Sequence, residues 1–450
     1  MAAAVAVAAA AVTVAIAAAA VLAGCGGSSP PPPRVAATSP GPVAAPTPVR
    51  HAPAPRTRGR RRSPRLRHLQ AELVWALRPM GGETGALVYD LSAHATLFSL
   101  RSRARRPPAS VEKLYTSVAL LRLLGPDARL HTALLGTGGL RRGGVWRGNL
   151  YLRGDGDPTF GDGWYDHVYE HGYGSTVSEL VAEVRRAGIR RVTGRLYGDG
   201  SRFDSEVGGP ATGGKPDTPD YGGEMSALVF DHGASSGRLS PPAFAAHELA
   251  LTLRAQHVWA LAAQRPARTP RGAHVIATVA SPRLPVLLKL MDVPSDDLFA
   301  DLLTKQLGHH FLGEGTLEAG AVEIRQALAS MYGLEPVIHD GSGLDRADRT
   351  SPDEVVSLLR QTWGGPVGQA LAAALPVVGE SGTVQAMAAR TPAQGHCVAK
   401  TGTLDDVTNL AGVCDARGGH QLAFALFVDG PENWRAYAAL GRMVAAIAAY

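Results

Sequence analysis

The sequence predicts a mixed α/β (α+β) protein: an antiparallel sheet assembled from both ends of the chain, helices packed on it, and a long inserted region between. Three observations point that way. Apolar residues alternate over short runs near residue 85 and again after residue 396, which is strand periodicity. Leu114, Val118 and Leu121 recur at helical spacing just after the first of these runs. Between about 130 and 285 the chain turns Gly-rich, with brief strand-like and helical stretches in alternation. A sheet that draws on both ends, with helices against it, is the economical way to bury these faces.

The elements follow in order. Gly85 to Leu100 reads as a strand pair turning near Ser92-Ala93-His94, and Lys113 to Leu124 as a helix. Inside the middle region Asn149–Leu152 and Val192–Tyr197 read as strands and Val177–Ala187 as a helix. Leu298–Leu307 and Pro352–Thr362 are helical. His396–Thr401 and Val407–Cys414 form a hairpin, Gln421–Val428 is a further strand, and a last helix runs from about Asn433 to Ala449. No internal repeat is visible.

The chain has 450 residues, 45% apolar and 19% charged, enough for more than one domain. Its net charge of +6 is unevenly spread. Residues 26–68 hold nine arginines, eleven prolines and no lysine or acid, so residues 69–450 carry a net −3. The basic charge thus belongs to an extended tether that cannot pack a core, which argues against nucleic acid as a partner. It suits an anionic membrane or cell-wall surface as well as a plain solvated spacer. Residues 1–25 are almost wholly apolar and end Leu22-Ala23-Gly24-Cys25, like a bacterial signal peptide with a lipoprotein box, though the basic start is missing. Export is expected, with membrane attachment through a lipid on Cys25 or through an uncleaved N-terminal anchor. The expected organisation is a signal peptide over 1–25, a tether over 26–68, a catalytic domain over 69–129 and 286–450, and inserted domains over 130–285.

Three short elements carry chemistry. Ser110-Val111-Glu112-Lys113 is a Ser-x-x-Lys at a helix start, where positions i and i+3 share a face and the amine can reach the hydroxyl. Lys400-Thr401-Gly402-Thr403 lies in a strand-like run, with Gly402 leaving room for a ligand backbone and the strand edge able to add a substrate strand. Each alone is a weak signal, a surface helix or a plain hairpin strand serving equally well. Composition sharpens both. The chain has 40 arginines and five lysines, and two of the five fall in these elements. Lysine, unlike arginine, can release its proton and shuttle it. The third element is Ser295-Asp296-Asp297, which on its own reads as a helix N-terminus with Ser295 capping and acids in the first turn.

In this order, Ser-x-x-Lys, Ser-Asp-Asp and Lys-Thr-Gly resemble the signature of serine β-lactamases and penicillin-binding proteins, with Asp297 in place of the expected Asn. The 185 residues from Ser110 to Ser295 resemble the low-molecular-mass class C penicillin-binding proteins, the D-alanyl-D-alanine carboxypeptidase/endopeptidase family, which carry two extra domains between these motifs. Gly154–Thr159, Gly198–Asp204, Asp340–Leu344 and Ala399–Leu404 resemble that family too, which has Ser where this chain has Asp345. The resemblance implies that Ser110 attacks the bond between two D-alanines of a peptidoglycan stem, or a β-lactam, and is acylated. It implies that Lys113 takes the proton and Ser295 passes one to the leaving amine. Lys400, Thr401, Gly402, Thr403 and the residue at 297 would bind substrate, with the N–H groups of Ser110 and Thr403 as oxyanion hole. No metal or organic cofactor is implied. An ionised Asp297 cannot donate a hydrogen bond, and beside Lys113 it would favour the charged amine. Asp297 and Asp345 therefore leave a wall-tethered pseudoenzyme open beside the carboxypeptidase, and a β-lactamase remains a further alternative.

The other features have plain readings. Asp155 and Asp157 read as a turn, His309-His310 as a solvated helix end, and Gly341-Ser342-Gly343 is not a nucleophile elbow. Cys397 and Cys414 sit symmetrically about a turn near Asp405-Asp406, a pairing that sets Lys400 opposite Ala411 and points Cys397 to the other face. Export permits a disulfide there, and two reduced cysteines behind the sheet are the alternative.

Overall fold

The structure, a computed structural model, describes residues 63–450 apart from 82, 217–222, 235–236 and 431. The expected signal peptide, Cys25 and nearly all of the expected tether lie outside the described residues. From the N-terminal side run α1 (Pro64–Leu77), β1 (Gly85–Asp90), β2 (Ala95–Leu100), a 3-10 turn over Ala109–Glu112 and α2 (Lys113–Leu123). The middle holds β3 (His131–Gly136), β4 (Gly139–Arg141), β5 (Val145–Arg147), β6 (Leu150–Arg153), α3 (Gly163–Tyr169), α4 (Val177–Arg186), β7 (Arg191–Val192), β8 (Leu196–Asp199), α5 (Pro241–Ala255) and β9 (His274–Ala280). Then come α6 (Leu284–Asp292), α7 (Asp297–Leu312), α8 (Leu317–Tyr332), α9 (Pro352–Thr362) and α10 (Pro366–Ala374). The chain closes with β10 (Cys397–Leu404), β11 (Val407–Asp415), β12 (Gln421–Asp429) and α11 (Asn433–Ala448).

Strands from both ends form one five-stranded antiparallel sheet in the order β10-β11-β12-β1-β2. Successive side chains in a strand point to opposite faces, so the sheet buries two cores. On one face Leu87, Ala411, Ala425 and Phe427 pack with Leu114 and Val118 of α2, Leu288 of α6, Ile324 of α8 and Leu359 of α9. On the other, Ala86, Val88, Ala399, Leu410, Phe424 and Leu426 pack with Leu69 and Leu73 of α1 and with Leu440 and Val444 of α11. Helix α1 begins at Pro64, five residues before Leu69, because Ser63 caps it (Leu66 N to Ser63 Oγ 3.1 Å) and proline suits the first helical position.

The middle region builds a second sheet, β8-β6-β3-β9, and a three-stranded one, β4-β5-β7. Leu134, Leu152 and Leu196 of the second sheet pack against Leu180 of α4 and Leu249 of α5. The run Val192–Tyr197, expected as one strand, is split between these sheets. Gly194 breaks it: a Cβ there would stand 2.3 Å from the Gly148 carbonyl, so the two backbones cross in close contact.

Candidate active site

The Ser-x-x-Lys element enters α2 through the 3-10 turn that contains Ser110. Ala109 takes a left-handed φ of 47°, and Gly343 lies so near that a Cβ on it would stand 2.1 Å from the Ala109 carbonyl. Asn409 of β11 holds the approach, its Nδ2 donating to the carbonyls of Pro107 (3.0 Å) and Pro108 (2.9 Å). Arg106 N bonds the Thr350 carbonyl at 2.7 Å and Tyr115 Oη meets Thr350 Oγ1 at 2.6 Å, which ties the turn to the start of α9. The strain at residue 109 is thus held by contacts from three separate segments.

Lys113 is fully buried, and its Nζ donates to Ser110 Oγ at 3.0 Å, Asp297 Oδ1 at 2.5 Å and the Ser342 carbonyl at 2.8 Å. The loop that supplies this carbonyl winds round one carboxylate: Asp340 accepts from the backbone N–H groups of Ser342, Gly343 and Asp345. Asp301 of α7 braces it through Gly341 N at 3.0 Å. Burial works against the charge on Lys113, but the adjoining Asp297 carboxylate, with Asp301 and Asp340 behind it, outweighs burial and holds the amine above its ordinary value.

Lys400 is equally buried, yet its surroundings differ. Its Nζ bonds Ser295 Oγ at 2.7 Å and the Thr401 carbonyl at 3.0 Å. Burial, helped by the charge of Lys113, pulls its pKa down to about 7, against the opposing pull of Asp292 and Asp297. Asp292, the last residue of α6, is itself wholly buried, receives Ser117 Oγ at 2.8 Å and is pushed by burial to about 7.

Ser295 does not cap α7, contrary to the local reading of its segment. Asp296 is the cap, accepting from Phe299 N at 2.9 Å, while its other oxygen meets His232 Nε2 at 2.6 Å. Ser295 stands one residue before the cap with φ 70°, and that left-handed backbone turns its hydroxyl to Lys400. Asp297 begins the helix and faces Lys113.

β10 is an edge of the sheet. Gly402 sits against the nucleophile turn: a Cβ there would fall 2.5 Å from the Pro108 carbonyl, 2.9 Å from Val111 N and 3.1 Å from Ser110 N. Lys400, two residues away, shares that face. Thr401 is buried with its hydroxyl donated to Thr383 Oγ1 at 2.7 Å, and Thr403 is exposed. The structure therefore brings together Ser110, Lys113 and Asp297, joins Ser295 to Lys400, and seats Gly402 beside Ser110. Asp345 keeps to its own loop, accepting from Ala347 N at 2.8 Å.

Sequence reasoning missed Asp292, Asn409, Asp301 and the Ser342 carbonyl. Only Asp292 left a local sign, since an acid at a helix C-terminus opposes the macrodipole. Among the described residues the carboxylates of Glu112, Asp340 and Asp348 also converge, within 4.8 Å of one another. Burial pushes Glu112 well up and Asp348 to about 8, which favours the neutral form of both carboxyls. Asp157 closes a turn on Thr159 and Ser175, and Asp155 pairs with Arg202 at 2.6 Å. Cys397 and Cys414 are paired in register and bonded, on the face away from Lys400, with Lys400 opposite Ala411. Among the described residues no helix is long and apolar enough to cross a membrane.

Known proteins resemble the chain over most of its length. It is 29% identical over 435 residues, 78% of each sequence, to a D-alanyl-D-alanine carboxypeptidase of Actinomadura sp. (strain R39). It is 29% identical over 411 residues, 85% of each, to carboxypeptidase DacB of Mycolicibacterium smegmatis. The fold matches penicillin binding protein 4 (dacB) from Haemophilus influenzae with a TM-score of 0.67 at 20% identity, over 83% of this chain and 98% of that one. The D-Ala-D-Ala carboxypeptidase 3 (S13) family matches residues 75–257 and 238–449, and the chain belongs to that family.

Proposed function

We propose that the chain is an exported serine D-alanyl-D-alanine carboxypeptidase that trims peptidoglycan stems through an acyl-enzyme and is acylated by β-lactams. The observation that carries this reading is Ser110 Oγ at 3.0 Å from the buried Lys113 amine, with Gly402 packed on the Ser110 backbone. Ser110 attacks the carbonyl between two D-alanines while Lys113, 3.0 Å away, takes its proton, and the peptide N–H groups of Ser110 and Thr403 receive the oxyanion. Ser295 delivers a proton to the departing D-alanine, and water then releases the shortened stem. Past Ala399, beyond its bonds to residues 376–378, the edge of β10 gives the substrate backbone a strand to pair with, while Lys400 meets its terminal carboxylate. The same acyl transfer at a cross-link is an endopeptidase reaction. Replacement of Asn by Asp297 bears on the rate of this chemistry and not on its class.

The test is release of D-alanine from a synthetic peptide ending in D-Ala-D-Ala. The protein releases it, and Ser110→Ala reduces the rate by more than ~10³-fold while leaving the far-ultraviolet spectrum unchanged. Equal release by Ser110→Ala would overturn the assignment. Export and anchoring belong to the same reading, supported by the apolar stretch before Cys25 and the tether composition of residues 26–68. Radiolabelled palmitate should enter the wild-type protein in a bacterial host and not Cys25→Ala. A label that persists in the variant contradicts lipid attachment at that residue.

A further inference from the structure

We propose that His232, supplied by the middle region, is a positioning residue for this reaction: by gripping Asp296 it fixes the turn that aims the Ser295 hydroxyl at Lys400. The proposal rests on the function given above and makes the middle region part of its machinery.

The turn from Val293 to Asp296 is held at its ends. The Val293 carbonyl accepts from Thr383 N at 3.2 Å, and Asp296 N donates to the Met291 carbonyl at 2.8 Å. Pro294 has no N–H to donate. Ser295 lies between these anchors in a left-handed conformation, φ 70°, which serine seldom adopts, so the turn relaxes unless a contact opposes it. Asp296 supplies that contact. One of its carboxylate oxygens caps α7 through Phe299 N at 2.9 Å, and the other meets His232 Nε2 at 2.6 Å. The residue next to Ser295 is thereby clamped from two sides.

His232 is itself held in place. It and Asp231 are left-handed too, with φ 58° and 45°. Asp231 N donates to the Phe160 carbonyl at 3.2 Å, and Asp231 Oδ1 accepts from Asp162 N at 2.7 Å. Glu224 N bonds the Gly233 carbonyl at 3.0 Å. The rings of Tyr165 and Phe299 lie 6.5 Å and 6.0 Å from the imidazole, centroid to centroid. Burial works against a charge on His232, but the Asp296 carboxylate outweighs it and holds the imidazole above its ordinary value. Unfavourable backbone thus stands on both sides of one 2.6 Å contact, and the surroundings over-determine both sides, as a functional constraint requires.

Attachment of the middle region to α7 has its own support. Met225, Ala227 and Val229 pack with Leu298 and Leu302 of α7, away from the charged contact. The bond from His232 to Asp296 therefore sets the direction of the turn, and the apolar packing holds the region in place.

The test is a double-mutant comparison of D-alanine release from a synthetic peptide ending in D-Ala-D-Ala. His232→Phe keeps a ring beside Tyr165 and Phe299 and removes the donor. It should lower kcat roughly 10- to 100-fold with KM within about twofold, since the misplaced hydroxyl serves the transition state and not binding. His232→Gln restores an N–H donor and should recover kcat to within about threefold of wild type. Asp296→Asn keeps a good cap for α7 but turns an amide nitrogen towards His232, and should lose as much as His232→Phe. In a Ser295→Ala background the loss caused by His232→Phe should shrink to less than about twofold, because the group being positioned is gone. A loss of equal size in both backgrounds, or wild-type kcat in either His232→Phe or Asp296→Asn, overturns the proposal and leaves the function standing. No release of D-alanine by the wild-type protein overturns both. Should His232→Phe fail to fold, Asp296→Asn carries the same comparison with and without Ser295→Ala.

Discussion

The two faces of β10 do different work. Towards Ser110 the strand presents Lys400 and Gly402, a buried amine and a missing side chain. Away from it the strand presents Cys397 and Ala399, one bonded to Cys414 and both packed with the core under α1 and α11. A period of two lets eight residues supply chemistry on one face and covalent and apolar support on the other. The lesson is that activity and stability should separate by residue parity along this strand, and substitutions can break or sharpen that division.

The largest effect belongs to the front face. Gly402→Val places atoms on backbone positions already 2.5–3.1 Å from the would-be Cβ, and none of these is a flexible side-chain end. The nucleophile turn must shift, and a displacement of about 1 Å can lower acylation by ~10²-fold. Stopped-flow acylation by a penicillin should show this loss, with a melting midpoint only slightly lowered. A collapse of stability with the residual rate intact would break the division. Next comes the back face. Cys397→Ser with Cys414→Ser opens a link across a separation of 17 residues, which should lower unfolding free energy by roughly 3 kcal/mol in urea titration. The acylation rate of the folded fraction should change less than about twofold. The smallest effect lies furthest from the strand. A chain starting at Leu69 loses Ser63, Pro64 and the first turn of α1, with a cost of ~1 kcal/mol. It should bind penicillin as the longer chain does, and failure to fold would mean α1 holds the back face more tightly than its capping accounts for.

How much of this was legible before the fold depends on distance along the chain. Ser110 and Lys113 are three residues apart, so a motif on one helical turn carried them. Lys400 stood out because lysine is scarce in an arginine-rich chain, and hairpin symmetry set Cys397 opposite Cys414 while leaving the bond between them open. The partners that set their chemistry are remote. Asp297 is 184 residues from Lys113 and Ser342 is 229, and Asn409 holds Pro108 across 301. Asp297 could be singled out as a departure from a pattern, but that it pairs with Lys113 depends on α7 docking beside α2. Ser295 misled for a related reason. Ser and Asp are both good caps, and only the turn at residue 295 decided that Asp296 would cap and Ser295 would face Lys400. In the middle region short strands broken by glycine left no long period from which to read two sheets.

The central claim is that Ser110 is the acylated nucleophile, and one measurement addresses it directly. The protein is incubated with benzylpenicillin, quenched in acid, digested with trypsin and examined by mass spectrometry. The account predicts one modified peptide, heavier by a whole penicillin, with fragment ions that place the addition on Ser110. An addition on Ser295 or Ser342, or the same addition in Ser110→Ala, would contradict it.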